Sequence, residues 1–291
     1  MTIDVAAAAE RIRPYARRTP LWRVDVDGHP LVLKLEHLQL TGSFKIRGAL
    51  NTLLAQGLPD HVVTASGGNH GIGVAKAAQL LGLSATVYVP VSAPEGKVRR
   101  IEAAGAKLIR HGASYAEAAE AAREFPGTYV EAYDNPLVIA GQGTVGLEIV
   151  TDLPEVDTVA VAVGGGGLAA GIASAIGGRL TVAVEPVNCS ALHNALEAGA
   201  PVDGPVESVA ASALGATRVG DLPFEVLRAA RVSSLLVSDR ELLAARDRLW
   251  EEFRLAVEPA AAVPFAAFLA GNVPGDLPCV VLCGANTDWT P

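Results

Sequence analysis

Short apolar runs alternate along this chain with longer segments of helical period, and that alternation limits its possible folds more than any other feature. The runs lie at 31–35, 61–65, 85–89, 107–110, 158–163, 180–185, 233–237 and 279–283. Between them, Ala- and Leu-rich segments at 43–55, 69–81, 94–104, 114–124, 136–151, 239–254 and 259–270 carry the helical repeat. Strands joined through helices pair in parallel and need cover on both faces. The pattern therefore predicts βα units around a mostly parallel sheet, an α/β fold. With 291 residues, half of them apolar, the chain can fill the core of one or two such domains. No unit of about 20 to 50 residues repeats, and no low-complexity tract is long enough to be a linker. The least patterned stretch, 199–220, is dominated by Gly, Pro, Ser and Ala and reads as an ordered loop.

The charge balance removes two classes of partner. A formal net charge of -8 repels both a nucleic-acid backbone and an anionic membrane surface. Only 159–176 is long enough and free enough of charge to raise a membrane span. Four consecutive glycines, Gly164 to Gly167, divide it into a strand, a turn and a small-residue helix. Cys189, Cys279 and Cys283 form neither a CxxC pair nor an even set, and the six histidines show no metal-ligand spacing. The N-terminus lacks a basic start followed by an apolar run. Together these features predict a cytoplasmic protein in a reducing compartment, without a signal peptide.

Four segments carry the residue types of a reactive site. Lys45, one of five lysines, sits in TGSFKIRGA at the opening turn of a predicted helix, with Arg47 beside it. A helix N-terminus and a neighbouring cation both disfavour an ammonium, the direction a Schiff-base lysine requires. A surface lysine in an opening turn is the plain alternative. At Ser66 to Gly73, SGGNHGIG ends a strand in a glycine-rich turn that opens a helix, with Asn69 and His70 at its mouth. Backbone N–H groups would converge there on a carboxylate or phosphate, although a tight βα turn explains the same glycines. VAVGGGGLAAG repeats the arrangement and is the best phosphate cradle in the chain. Gly165, Gly167 and Ala170 also roughly match the dinucleotide fingerprint, and Glu185 closes the next strand at nearly the right spacing. On spacing alone a nicotinamide-dependent dehydrogenase stays open. CVVLCGAN ends a strand at Cys283, whose thiol either meets a cofactor or is plain core.

In this order, TGSFKIRGA, SGGNH, GGGGLAAG and CGAN resemble the fold type II pyridoxal-phosphate enzymes, most closely the threonine/serine dehydratase and serine racemase family. PVSAPEGKVRRIEAAGA, AYDNPLVIAGQGTVGLEI and the VEP at 184–186 extend the likeness over nearly the whole chain. The resemblance implies a tryptophan synthase β-like fold, with two open, twisted, mostly parallel sheets flanked by helices. A large cofactor domain would come from 1–56 and 140–291, and a small substrate-loop domain from 57–139. The resemblance further implies pyridoxal 5′-phosphate carried by Lys45, which also moves the α-proton. Phe44 would pack against the ring, Gly164, Gly165, Gly166, Gly167 and Leu168 would cradle the phosphate, and Cys283 would face the pyridine nitrogen. Ser66, Gly67, Asn69 and His70 correspond to the substrate-carboxylate loop, with Asn69 also beside the 3′-oxygen. A neutral thiol cannot hold the ring nitrogen protonated as an aspartate would, which favours elimination over transamination. The implied reaction is dehydration and deamination of L-threonine or L-serine to 2-oxobutyrate or pyruvate and ammonia. The family is usually homodimeric, and its partner here would be a small amino acid.

The chain also departs from the pattern. Racemases carry a serine where Gly67 stands, so dehydration is expected over racemisation. Divalent-cation sites of the family pair a glutamate closing a strand with an aspartate six residues on. Here Glu185 is kept but Ala191 replaces the aspartate, which predicts a monovalent cation or none and leaves Glu185 as either a ligand or a cap. Ala211 or Ser212 replaces a further aspartate, which bears on substrate range. The chain stops at Pro291, just after the last strand, so no effector domain and no isoleucine feedback are expected. The remaining alternatives are a serine racemase or a 3-hydroxyaspartate dehydratase or racemase within the class, and the nicotinamide enzyme outside it. A cofactor-binding protein without turnover is the third.

Overall fold

Parallel strands are covered on both faces, so they need continuous rather than alternating apolar runs, and the segment TVAVA at 158–162 is buried at every position. The structure, a computed structural model, describes residues 2–93 and 95–289. Its strands are β1 (Leu21–Val26), β2 (His29–Lys34), β3 (His61–Ala65), β4 (Ser84–Val89), β5 (Lys107–Arg110), β6 (Thr128–Tyr129), β7 (Thr158–Ala162), β8 (Leu180–Pro186), β9 (Val232–Val237) and β10 (Pro278–Val281). The helices are α1 (Val5–Ile12), α2 (Lys45–Ala55), α3 (Asn69–Leu80), α4 (Glu95–Ala103), α5 (Tyr115–Glu124), α6 (Pro136–Asp152), α7 (Gly167–Ala175), α8 (Ala191–Ala198), α9 (Ala211–Leu214), α10 (Asp221–Ala229), α11 (Asp239–Phe253) and α12 (Pro259–Leu269). Pro94, the expected start of the helix at 94–104, and Pro291, the expected terminus, lie outside the described residues.

The expected α/β architecture is present as two sheets. Six strands run in the order β1-β2-β10-β7-β8-β9, parallel except for the β1/β2 hairpin. Four more run β5-β4-β3-β6, parallel throughout. Both ends of the chain enter the larger sheet, whereas the smaller is built from 61–129. The stretch 159–176 becomes β7, a glycine turn and α7, and no helix among the described residues is long and apolar enough to cross a membrane.

Helix α6 sets the geometry of the cleft. Asn135 caps it, accepting from Leu137 N and Val138 N, and Pro136 opens its first turn. Its glycines admit neighbours at backbone distance. A Cβ on Gly141 would stand 2.6 Å from Gly48 Cα of α2, and one on Gly171 of α7 would stand 2.5 Å from Gly143 N. Thus α2, which begins at Lys45, and α7, which follows the glycine turn, are both seated on α6. The other face of α2 (Ile46, Ala49, Leu50, Leu53) packs with Val62, Val74 and Val87 of the smaller sheet and its helix α3.

Candidate active site

A cleft between the two sheets is lined by Phe44, Lys45, Asn69, Tyr133, the turn from Gly164 to Leu168, Glu258 and Cys283. It gathers residues that lie far apart in sequence, because β7, β10, α2 and α3 all end or begin there. Lys45 Nζ donates to the carbonyl oxygen of Ala132 at 2.9 Å and lies 5.4 Å from the centroid of the Phe44 ring. Burial of its ammonium lowers the Lys45 pKa to about 8, against the opposing pull of Cys283 and Glu258. A neutral amine, the form that attacks a carbonyl, is therefore accessible near physiological pH.

The expected direction of that shift is correct, but Arg47 is not its cause. Arg47 turns from the cleft into a buried ionic network. Its Nε and one terminal nitrogen grip Glu36 at 2.8 Å each, and its two terminal nitrogens meet Glu148 at 2.7 and 2.9 Å. Lys34 Nζ reaches the same Glu148 at 2.5 Å. Two cations are thus matched by two carboxylates, and the helix position next to Lys45 carries no net charge toward it.

The glycine turn offers donors. Gly166 has φ +90, and no N–H from Gly164 through Leu168 has an acceptor among the described residues. These are the unpaired amides of a helix N-terminus together with the loop before it, an arrangement that favours a phosphate. Tyr133 closes the turn from the opposite side: a Cβ on Gly165 would stand 2.3 Å from its Cγ. Tyr133 received no role from the sequence reading, although AYDNP was among the segments that carried the resemblance.

The loop before α3 is a second cradle. Ser66 Oγ accepts from Gly68 N at 3.1 Å and so shapes the turn. The N–H groups of Gly67, Asn69 and His70 have no acceptor among the described residues. Asn69 Nδ2 donates to Glu258 Oε1 at 2.7 Å, at the edge of the cleft. His70 follows Asn69 in the first turn of α3, but its ring does not line the cleft. Its ring is buried, with Nε2 against Thr64 Oγ1 at 2.9 Å and the Val130 carbonyl at 3.0 Å, so only its backbone N–H is offered. Burial, aided by the Lys45 charge, pulls its pKa to about 3, and the ring is neutral.

Cys283 lies two residues past β10, and Phe44 N donates to its carbonyl at 3.2 Å. Burial pushes its thiol well above the ordinary range, so the sulfur is neutral. Glu258, at the head of α12, was also missed; the signal that could have found it is the EP pair opening an apolar helix. Glu185, expected as a ligand or a cap, accepts from Leu192 N at 2.9 Å and His193 N at 2.8 Å. Both of its oxygens face the N-terminus of α8. The same geometry removes the dinucleotide reading, because the acid that would hold a ribose is engaged.

An acceptor-free phosphate cradle, a partly deprotonated lysine and a neutral thiol facing one cleft fit a phosphorylated pyridine aldehyde. Comparison with known proteins agrees. The family model described as pyridoxal-phosphate dependent enzyme matches residues 12–284. An L-threonine ammonia-lyase of Geobacter sulfurreducens is 40% identical over 98% of this chain and 75% of its own. A catabolic L-threonine dehydratase of Staphylococcus aureus is 36% identical over 93% of this chain and 83% of its own. Among solved structures, the T.th. threonine deaminase superposes with a TM-score of 0.92 at 38% identity over 99% of both chains. Maize serine racemase superposes with a TM-score of 0.92 at 31% identity, over 99% of this chain and 95% of its own.

Proposed function

Since the chain belongs to the pyridoxal-phosphate dependent enzymes, we propose that it is an ammonia-lyase that eliminates water from L-threonine and L-serine, releasing 2-oxobutyrate or pyruvate and ammonia. The observation that carries the reading is Lys45. A lysine whose amine is neutral above about pH 8 faces an acceptor-free phosphate cradle in a chain with threonine ammonia-lyase relatives. Pyridoxal phosphate, when bound, supplies the electron sink that acidifies the substrate's α-C–H bond.

The rest is the work of this chain's own groups. The N–H groups of Gly164 to Leu168 would hold the phosphate, and Phe44 and Cys283 would bound the ring. Lys45 Nζ would carry the cofactor and take the substrate's α-proton. The N–H groups of Gly67, Asn69 and His70, with Asn69 Nδ2, hold the substrate carboxylate, so that the α-C–H bond stays aligned toward Lys45. His70, neutral and bonded beneath the loop, braces that grip. The Cys283 thiol does not protonate a ring nitrogen, which favours loss of a β-substituent over transamination. The division into 1–56 with 140–291 and 57–139 suits closure of the smaller part on the carboxylate. A cytoplasmic homodimer completes the proposal.

Elimination is favoured over racemisation by a specific feature. A Cβ at Gly67 would meet only Val89 Cγ1, at 3.9 Å. The site has room for a serine there, and the sequence places no hydroxyl in it. The test is 2-oxo acid release from L-threonine and L-serine, with pyridoxal phosphate and with or without potassium. Turnover that Lys45→Ala abolishes is expected. No release from either substrate, with the cofactor's visible absorbance intact, would overturn the assignment.

A further inference from the structure

Two side-chain amides stand between a backbone carbonyl and a buried carboxylate at the mouth of the cleft. Asn286 Nδ2 donates to the carbonyl oxygen of Thr41 at 2.7 Å and to Asn69 Oδ1 at 2.8 Å, and Asn69 Nδ2 donates to Glu258 Oε1 at 2.7 Å. A side-chain amide can be turned end for end with little change of shape, whereas a backbone carbonyl cannot. Thr41 O only accepts, so the NH2 of Asn286 must face it. The second hydrogen of that NH2 then requires the oxygen of Asn69, which leaves the Asn69 NH2 for Glu258 and the cleft. Polarity is passed from a fixed carbonyl through two amides to the loop before α3.

The root of this chain is firmly set. Thr41 has φ +68, a left-handed conformation that is costly for a β-branched residue and persists only where the surroundings impose it. Ala285 N donates to Gly42 O at 2.8 Å. Gly42, at φ +71, passes so close that a Cβ would stand 3.0 Å from Asn286 Oδ1. Beyond the amide, Asp288 pairs with Arg100 of α4 at 2.8 Å, and the guanidinium carbon of Arg246 on α11 lies 4.4 Å from the Trp289 ring centroid.

We propose that Asn286 is a positioning residue that orients the Asn69 amide, so that its NH2 and not its oxygen is presented to the substrate carboxylate. The proposal rests on the reading of Asn69 as part of the carboxylate grip. It makes an ordering that a merely structural role does not. Asn286→Ala removes the constraint but leaves Glu258 to keep the Asn69 NH2 in place. Asn286→Asp keeps the volume and replaces the donor with an acceptor. It turns the Asn69 amide, sets its oxygen against Glu258, and withdraws the donor from the substrate.

The experiment compares Asn286→Asp with Asn286→Ala by steady-state kinetics and, in the cofactor-free protein, by the 15N signals of the Asn69 side-chain NH2. The signal is identified by its loss in Asn69→Ser. In Asn286→Asp, KM for L-threonine rises by about tenfold or more, the loss of one hydrogen bond to a charged group, while kcat changes by less than about threefold. Asn286→Ala raises KM by less than about threefold, and the Asn69 signals move only in Asn286→Asp. An Ala variant as impaired as the Asp variant, or Asn69 signals unmoved in Asn286→Asp, overturns the proposal. Should Asn286→Asp not fold, Glu258→Ala reads the relay from the other end. The Asn286 side-chain NH2 signals, identified by their loss in Asn286→Ala, stay in place there if the relay holds, and their displacement, which reports a turned Asn69 amide, overturns it. The amide signals are read without cofactor or turnover, so absence of lyase activity in the unaltered chain defeats the functional reading alone.

Discussion

Tyr133 lies across the glycine turn so closely that a methyl group on Gly165 would stand 2.3 Å from its Cγ. Gly165→Ala should therefore push either the ring or the turn aside. We expect a stability loss of about 1–3 kcal/mol and a weakening of pyridoxal-phosphate binding by about tenfold or more, as the amides leave register. Tyr133→Ala in the same chain makes room for the methyl. The double variant should regain part of the affinity, a non-additivity that a fluorescence titration of all four proteins would measure.

The Lys45 amine gives a second prediction, whose sign follows from linkage. Its pKa is about 8 in the folded protein against 10.5 for the ordinary group. Below about 8 the folded state bears a buried ammonium in full. Between about 8 and 10.5 the unfolded chain still binds the proton and the folded one does not. Stability of the cofactor-free protein should therefore rise with pH through this window. Urea unfolding at stepped pH should show the rise in the native chain and its loss in Lys45→Met. Cofactor capture should accelerate toward pH 8, since only the neutral amine attacks the aldehyde.

The legible parts of this site were those in which a local motif suffices. Both glycine-rich turns and Cys283 sit where a strand gives way to a turn or helix, Lys45 opens a helix, and their spacing and composition mark them. The unread parts depend on tertiary contact. Tyr133 and Glu258 enter the cleft only because α6 and α12 pack as they do, and Arg47 looked like a neighbour of Lys45 until Glu36 and Glu148 claimed it. In the fold, β1 was missed because its sequence LWRVDV is polar at an exposed edge, although the Asp27-Gly28 turn, with φ of +55 and +81, is a hairpin signal. The two-residue β6, α1, α8, α9 and α10 were also unread. The last two follow or interrupt the Gly- and Pro-rich stretch at 199–220, where no periodic run stands out.

The network around Arg47 yields a stability prediction. Burial alone would raise the Glu36 pKa, yet Arg47 outweighs it and holds the carboxyl below its ordinary range. Arg47→Met strands Glu36 and leaves Glu148 with Lys34, and should cost about 3–5 kcal/mol. Arg47→Lys should restore little, because a single ammonium cannot bridge Glu36 and Glu148 with the paired contacts of a guanidinium. Denaturant midpoints of the three proteins would decide it. Equal stability of the Met variant and the native chain would mean that the network is solvated rather than buried.

Gly67 is where elimination and racemisation part. In the proposed reaction both begin with removal of the α-proton by Lys45, and racemisation additionally needs a proton delivered to the opposite face of the same carbon. Gly67 has a backbone φ outside the left-handed region, and a Cβ there meets nothing nearer than Val89 Cγ1 at 3.9 Å. Gly67→Ser should accordingly fold with a stability within about 0.5 kcal/mol of the native chain and place a hydroxyl in the loop proposed to hold the substrate. It should produce D-serine from L-serine at a rate above that of the native protein, while 2-oxo acid release falls as the returned proton competes with loss of the β-hydroxyl. Chiral chromatography of a single reaction mixture follows both products. If Gly67→Ser folds, binds the cofactor and yields no D-serine, the missing hydroxyl is not what restrains the native enzyme, and the opposite face must be closed to protons for another reason.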